Sequence, residues 1–294
     1  MPPVSTTDHA RPAVPFAVAT GAILVFTTLD AVVKSLPHGI PVIEVVAMCF
    51  SFAIPVALAA VWRMRAGWPT LASWQANVPR GVLNVGSTML FFIALRRLPF
   101  AEVLTIGYLA PLMLALLAAL VLGERLRAGV LGAVSLGLCG VAVIAWSSLT
   151  DRQALSGDLV GIAAALGSAV ASAANNVMLR SQAQRDSATS IVLILQIVPV
   201  IVALPMAAAT WTTPTLPVWF AFALFGSVNV GGHFLLTWAY RRAPAGVLAS
   251  ADYLALPYAA LLGFFIFGEV PTPAVWTGAA LIIGACLIVT RLRK

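Results

Sequence analysis

Residues 84 to 99 read Asn84-Val85-Gly86-Ser87-Thr88-Met89-Leu90-Phe91-Phe92-Ile93-Ala94-Leu95-Arg96-Arg97-Leu98-Pro99, and residues 229 to 244 read Asn229-Val230-Gly231-Gly232-His233-Phe234-Leu235-Leu236-Thr237-Trp238-Ala239-Tyr240-Arg241-Arg242-Ala243-Pro244. Eight of the sixteen aligned pairs are identical, at a fixed offset of 145 residues. That offset is close to half of the 294-residue chain, so the protein is two copies of one unit.

The register persists outside this stretch. Thr105 and Tyr108 fall on Ser250 and Tyr253, Gly123-Glu124 falls on Gly268-Glu269, and after a one-residue slip Gly132-Ala133 falls on Gly278-Ala279. At an offset of 146, Asp30 with Lys34-Ser35 meets Asn176 with Arg180-Ser181, so the first helix of each half carries a polar group one turn before a cation.

Composition sets the class. Hydrophobic residues make up 61% of the chain and charged residues 9%, against roughly 45–50% and about 25% in a soluble domain. There is too little charge to cover a water-facing surface. Uncharged runs of about 20 residues, the length that crosses ~30 Å of hydrocarbon, recur along the chain between short segments with Arg, Pro or Asp. We read an all-α integral membrane protein of ten transmembrane helices. A polar tail covers 1–14 and is no cleaved signal peptide, because it lacks an apolar core and a small-residue cleavage site. The first five-helix unit covers 15–147, with spans at 15–36, 41–62, 79–95, 101–122 and 128–147. A loop covers 148–156, and the second unit, 157–294, has spans at 157–180, 188–210, 217–240, 246–267 and 272–290.

Lys and Arg in short loops set the orientation. With the N-terminus in the cytoplasm, thirteen basic residues, Arg80 among them, fall on the cytoplasmic side; Lys34, Arg96, Arg97 and Arg152 fall on the other. Both termini are therefore expected inside the cell. The formal charge of +7 reads as a membrane bias; a nucleic-acid partner would need a solvated basic domain. Five helices followed by five homologous ones enter the membrane from opposite sides, which gives inverted repeats and two similar-energy arrangements, the architecture of alternating access. The expected partners are a small solute and the lipid bilayer, and nothing in this reading requires more than a monomer.

Enzyme chemistry is a poor fit. His9, His38 and His233 are scattered, Cys49, Cys139 and Cys286 stand alone in apolar runs, and no GxxxxGK[ST] loop is present. No cofactor, metal site or catalytic residue is expected.

The stretch Leu98-Pro99-Phe100-Ala101 through Tyr108-Leu109-Ala110-Pro111 to Leu122-Gly123-Glu124-Arg125-Leu126, followed by Gly132 and Gly137-Leu138-Cys139-Gly140-Val141, resembles the repeat signature of the EamA family of the drug/metabolite transporter superfamily. The second copy, from Ala243-Pro244-Ala245 through Tyr253-Leu254 to Gly268-Glu269 and Gly278, is similar. The resemblance covers nearly the whole chain and implies a bacterial inner-membrane exporter of amino acids, aromatic or neutral, or of related small metabolites. Hydrophobic cationic drugs are the alternative cargo. Pro257 stands one residue later than Pro111, and Glu102 occupies a place where the family pattern has a small residue.

Residues at three- and four-residue spacing share a helix face. On span eight these are Asn229, Gly232, His233, Leu236, Thr237 and Tyr240, and on span three Asn84, Ser87, Thr88, Phe91 and Leu95. Polar groups near the bilayer midplane turn into the bundle, so Asn84, Thr88, Asn229, His233 and Thr237 are candidate lining residues of a central cavity; packing through interhelical hydrogen bonds is the competing role. Tyr108 and Tyr253 are candidates to stack on an aromatic solute. With no cation cluster expected at the midplane, phosphate esters are disfavoured.

The sparse charges suggest gates. Asp30, Glu44 and Glu102 lie toward the outer side with Lys34, Arg96 and Arg97, whereas Arg180, Arg241, Arg242 and Asp252 gather at the inner side. We expect outer carboxylates to pair with outer cations when the outside is closed, and Asp252 with Arg180 or Arg241/Arg242 when the inside is closed. Glu124 and Glu269 read as structural carboxylates at the start of the following helix.

Overall fold

The computed structural model describes residues 13–65, 67–122, 128–150, 159–182, 185–240, 242 and 254–292. These form α-helices with no strand among them. In chain order they are α1 (Ala13–Lys34), α2 (Val42–Arg63), α3 (Leu71–Arg97), α4 (Phe100–Gly107), α5 (Ala110–Leu122), α6 (Ala128–Thr150), α7 (Leu159–Gln182), α8 (Ala188–Ala208), α9 (Leu216–Tyr240), α10 (Ala255–Phe267) and α11 (Pro273–Leu292). Six of them, α1, α2, α3, α7, α8 and α9, are long and apolar enough to cross a membrane, and four shorter apolar segments lie at Phe100–Leu114, Leu131–Ser147, Ala255–Phe267 and Pro273–Ile288.

Two boundaries differ from the sequence reading. Pro79 is no helix start: α3 begins at Leu71, capped by Thr70, whose hydroxyl accepts from the Ser73 N–H at 3.2 Å, and Pro79 lies inside the helix. Arg80 is thereby drawn from the expected cytoplasmic end of the span into the bundle, where it is 6% exposed. The fourth span is broken into α4 and α5 at Tyr108–Leu109. Pro111 has no N–H for the carbonyl one turn back, and its ring clashes there. The chain tightens instead, with Tyr108 N–H donating to the Leu104 and Thr105 carbonyls and Leu109 N–H to the Ile106 carbonyl. Residues 151–158 of the expected linker lie outside the described residues, as does most of the ninth span before α10.

The halves interlock. The main interfaces come in pairs related by exchanging halves: α3 packs on α7 and α9 on α1, α2 on α9 and α8 on α3, α5 on α7 and α10 on α1, while α2–α8 and α6–α11 map onto themselves. The α6–α11 crossing is backbone-close. A Cβ added at Gly140 would stand 2.8 Å from the Gly278 carbonyl oxygen, and one at Gly278 would stand 2.7 Å from the Gly140 carbonyl oxygen. Gly140 also meets Ile282, and Gly278 meets Ile144. Numbering rises along one helix as it falls along the other, so the pair is antiparallel. Close approach of small residues replaces the hydrophobic drive that lipid removes. The largest core cluster takes side chains from both halves, including Phe92, Phe100, Leu95, Phe222 and Ile282.

Candidate functional site

A polar seam runs the length of the α3–α7 interface. The Ser168 hydroxyl donates to the Ser87 carbonyl at 3.1 Å, and the Ser87 and Ser172 hydroxyls lie 2.8 Å apart. One turn on, the Asn175 amide donates to Asn84 Oδ1 at 3.1 Å, and Arg80 Nε donates to Asn175 Oδ1 at 2.5 Å. Arg80 Nη1 donates to Gln182 Oε1 at 3.3 Å. The seam ends where Asp186 accepts from Ser73 Oγ at 2.5 Å and Asn77 Nδ2 at 2.8 Å. Gly161 against Leu98 and Gly167 against Leu90 let the helices approach. The face containing Asn84 and Ser87 is thus turned largely onto α7, and Thr88 beside it is half-buried.

The corresponding stretch of α9 faces α1. A Cβ at Gly232 would stand 2.7 Å from the Phe26 ring, so the glycine admits that ring, whose centroid lies 5.0 Å from the His233 imidazole. His233 remains exposed, although it lies beyond the middle of α9. Phe26 of α1 stands beside it, and the charge of Arg80 on α3 is within electrostatic reach. Asn229, one turn earlier, is half-buried. Across α1, exposed Thr28 and half-buried Tyr258 of α10 share a hydrogen bond of 2.9 Å. Tyr108 is half-buried at the α4/α5 break, its carbonyl accepting from Cys286 Sγ at 3.4 Å. Tyr253, Arg241 and Asp252, and the side chains of Thr237 and Arg180, lie outside the described residues.

The end of the bundle where α1 stops has one ion pair among the described residues. Lys34 Nζ lies 2.8 Å from Glu269 Oε1, donates to the Leu98 carbonyl at 2.5 Å and stands 5.3 Å from the centre of the Phe267 ring. Glu269 Oε2 accepts from the Phe100 N–H at 2.7 Å. Glu269 therefore caps a helix start, but that of α4 in the other half and not that of the helix following it. Gly268 makes this possible: with φ of 67° it closes α10 in the left-handed region, Glu269 N–H donates to the Gly263 carbonyl at 2.9 Å, and the chain turns back over the bundle. Glu124, its counterpart in the repeat, lies outside the described residues.

Two of the remaining gate candidates, Glu44 and Arg96, meet uncharged partners. Glu44 is fully buried and accepts at Oε2 from both the N–H and the hydroxyl of Thr212, each at 2.9 Å, so it binds the α8–α9 turn and no cation. Arg96 Nη1 donates to the Ile40 carbonyl at 2.6 Å, while its Nε and Nη2 are sealed without a partner. Arg97 is exposed at the end of α3, Glu102 is 3% exposed, and Asp30 is half-buried. The sequence reading missed Glu269 as the partner of Lys34, Tyr258 as the partner of Thr28, and Arg80 as a buried cation. For Arg80 the signal was present in Asn175 and Gln182, amides at helical spacing with no other evident role.

The family model of EamA-like transporters matches residues 14–146 and again 159–291. The chain belongs to the EamA-like transporter family. It is 27% identical over 278 residues to a pseudopaline exporter of Pseudomonas aeruginosa (strain UCBPP-PA14), covering 93% of this chain and 94% of that protein. It is 27% identical over 263 residues to a riboflavin transporter of Brucella anthropi, covering 86% and 89%, and 34% identical over 113 residues to an S-adenosylmethionine uptake transporter of Rickettsia bellii, covering 37% and 38%. A solved crystal structure superposes with a TM-score of 0.63 at 24% identity, covering 96% of this chain and 99% of that one, which supports the fold. As an EamA-like protein the chain is a multi-pass membrane transporter, and these relatives are named for different solutes, one for export and one for uptake.

Proposed function

We propose that this EamA-like protein exports amino acids, aromatic or neutral, or related small metabolites across a bacterial inner membrane by alternating access. Its frame is ten spans in two inverted five-helix repeats, 15–147 and 157–294, with both termini cytoplasmic. The observation that carries this reading is the exchange of interfaces, α3–α7 with α9–α1 and α2–α9 with α8–α3. A pseudo-symmetric bundle of this kind has a second arrangement of nearly equal energy in which the halves trade roles. With Arg80 removed from the loops, basic residues still divide twelve against four in favour of cytoplasmic termini. In that orientation the Lys34–Glu269 pair closes the outer side.

The cavity is lined by Asn84, Thr88, Tyr108, Asn229, His233, Thr237 and Tyr253. The outer gate draws on Asp30, Lys34 with Glu269, Arg96 and Arg97, beside the Glu44 anchor of the α8–α9 turn, and the inner gate on Arg180, Arg241 and Asp252. A hydrophobic cation is the second reading, favoured by Asp30, a half-buried carboxylate with no hydrogen bond or ion pair among the described residues. The test is counterflow of L-phenylalanine into liposomes holding the purified full chain. Uptake of the unmodified amino acid above that of empty liposomes is expected, with weak competition from a triose phosphate. A chemically altered product sinks the transport reading, and stronger displacement by the triose phosphate or by a lipophilic cation sinks the amino-acid reading.

A further inference from the structure

Among the described residues, Arg80 is the one Lys or Arg side chain that is buried. It stands nine residues into α3, about 14 Å from that helix start at 1.5 Å per residue, and is 6% exposed. A guanidinium taken out of water needs a counter-charge or a full set of acceptors. Arg80 has neither. No carboxylate among the described residues lies within ion-pair distance of it, and of its five N–H groups one on Nε goes to Asn175 Oδ1 and one on Nη1 to Gln182 Oε1. Both acceptors are neutral amides.

Those amides are fixed from behind. Asn175 Nδ2 is engaged with Asn84 Oδ1 at 3.1 Å and Gln182 Nε2 with the Ala76 carbonyl at 2.6 Å, so each presents its oxygen to the guanidinium. Gly81, where a Cβ would stand 2.6 Å from the Val198 side chain, lets α8 close over the neighbouring position. The guanidinium is thus held in place on its Nε side, and the Nη1–Nη2 end keeps N–H groups in the parallel arrangement that a carboxylate accepts with both oxygens. His233 on α9 is within electrostatic reach of the same charge.

We propose that Arg80 is a binding residue for the carboxylate of the transported solute, held ready by Asn175 and Gln182. The proposal rests on the small-solute transport reading above and deepens it by naming the group that is recognised. One guanidinium with no second cation beside it among the described residues balances a single negative charge, which fits a carboxylate better than a phosphate dianion. Asn84, a half-buried lining residue, then also orients Asn175 toward the guanidinium.

The test compares uptake of L-phenylalanine and L-phenylalaninamide, which differ only at the carboxyl group, by the reconstituted full chain at zero membrane potential. The wild-type chain is expected to prefer the acid by about tenfold. In Arg80→Gln that ratio falls toward one, and in Arg80→Lys, which keeps the charge without the fork, it is intermediate; melting temperatures in detergent confirm that the variants fold. Equal uptake of acid and amide by the wild-type chain overturns the proposal while leaving transport intact. So does an Arg80→Gln protein that keeps the preference at a lower rate, the result of a purely structural tie between α3 and α7. Uptake of neither compound by the wild-type chain overturns the amino-acid reading and this proposal with it.

Discussion

Lys34, the last residue of α1, and Glu269, just past the end of α10, form an ion pair at 2.8 Å across the two halves of the chain, with side chains 10% and 24% exposed. The same carboxylate holds the Phe100 N–H at 2.7 Å, so α1, α4 and α10 meet at one acid. Glu269→Gln keeps an acceptor for Phe100 and loses the ion pair. At this exposure the loss is worth about 1 kcal/mol, a roughly fivefold shift in the population of the state closed at this end. Thr28→Cys, in a background lacking Cys49, Cys139 and Cys286, is expected to label faster from the Lys34 side in Glu269→Gln than in its absence. Lys34→Gln added to Glu269→Gln produces little further change, because the pair acts as a unit. Unchanged labelling in Glu269→Gln removes the gate role.

The position of Glu269 depends on Gly268. A side chain at φ of 67° costs about 1–2 kcal/mol for a branched residue and less for Asn. Melting temperature in detergent is expected to fall further for Gly268→Val than for Gly268→Asn, and labelling at Thr28→Cys to rise in the order of that loss. Equal melting temperatures for the two variants contradict this assignment.

At the α6–α11 crossing, Gly140 and Gly278 face each other's backbone carbonyl at under 3 Å from an added Cβ, a contact that side-chain rotation does not relieve. Gly140→Ala or Gly278→Ala is expected to cost about 1–3 kcal/mol by overpacking. Gly284→Ala, in the same helix with nothing within 4 Å, is expected to be neutral or slightly stabilising, by up to ~1 kcal/mol. Thermal unfolding of the three variants side by side checks the contrast.

Glu44 is fully buried and anchors Thr212 through two hydrogen bonds. Glu44→Ala leaves the Thr212 N–H without its acceptor, at a cost of about 1–3 kcal/mol, whereas Glu44→Gln retains a carbonyl oxygen for it and costs less. Thermal stability is expected to rank wild type, Glu44→Gln, Glu44→Ala. Thr212→Val, which removes only the hydroxyl, should fall between the first and the last. A Glu44→Ala protein as stable as the wild type contradicts the anchoring role.

Much of the fold was legible in the chain because lipid imposes simple rules. A 61% hydrophobic composition and repeated apolar runs require helices, since every backbone polar group must be satisfied within its own segment. The repeat from Asn84 to Pro99 and Asn229 to Pro244 set the two-part plan, and the family model likewise matches the chain twice, at 14–146 and 159–291. Local chemistry misled where it has two readings. Pro79 is a good helix start, but it is tolerated inside α3, and with that shift Arg80 passed from a cation at the cytoplasmic helix end to a buried one.

Sequence alone therefore determined the class, the duplication and most helix spans, because these follow from hydropathy and period, which are properties of neighbours along the chain. Tertiary structure decided the partners. Glu269 reaches Lys34 and Phe100, Thr28 meets Tyr258, and Asn175 turns its amide to Arg80 and Asn84. Each of these contacts joins residues more than 60 positions apart, on helices whose facing is set only when the two halves interlock. A polar residue on an apolar helix shows in sequence that it needs a partner, and only the packing of that helix against its neighbour says which one it finds.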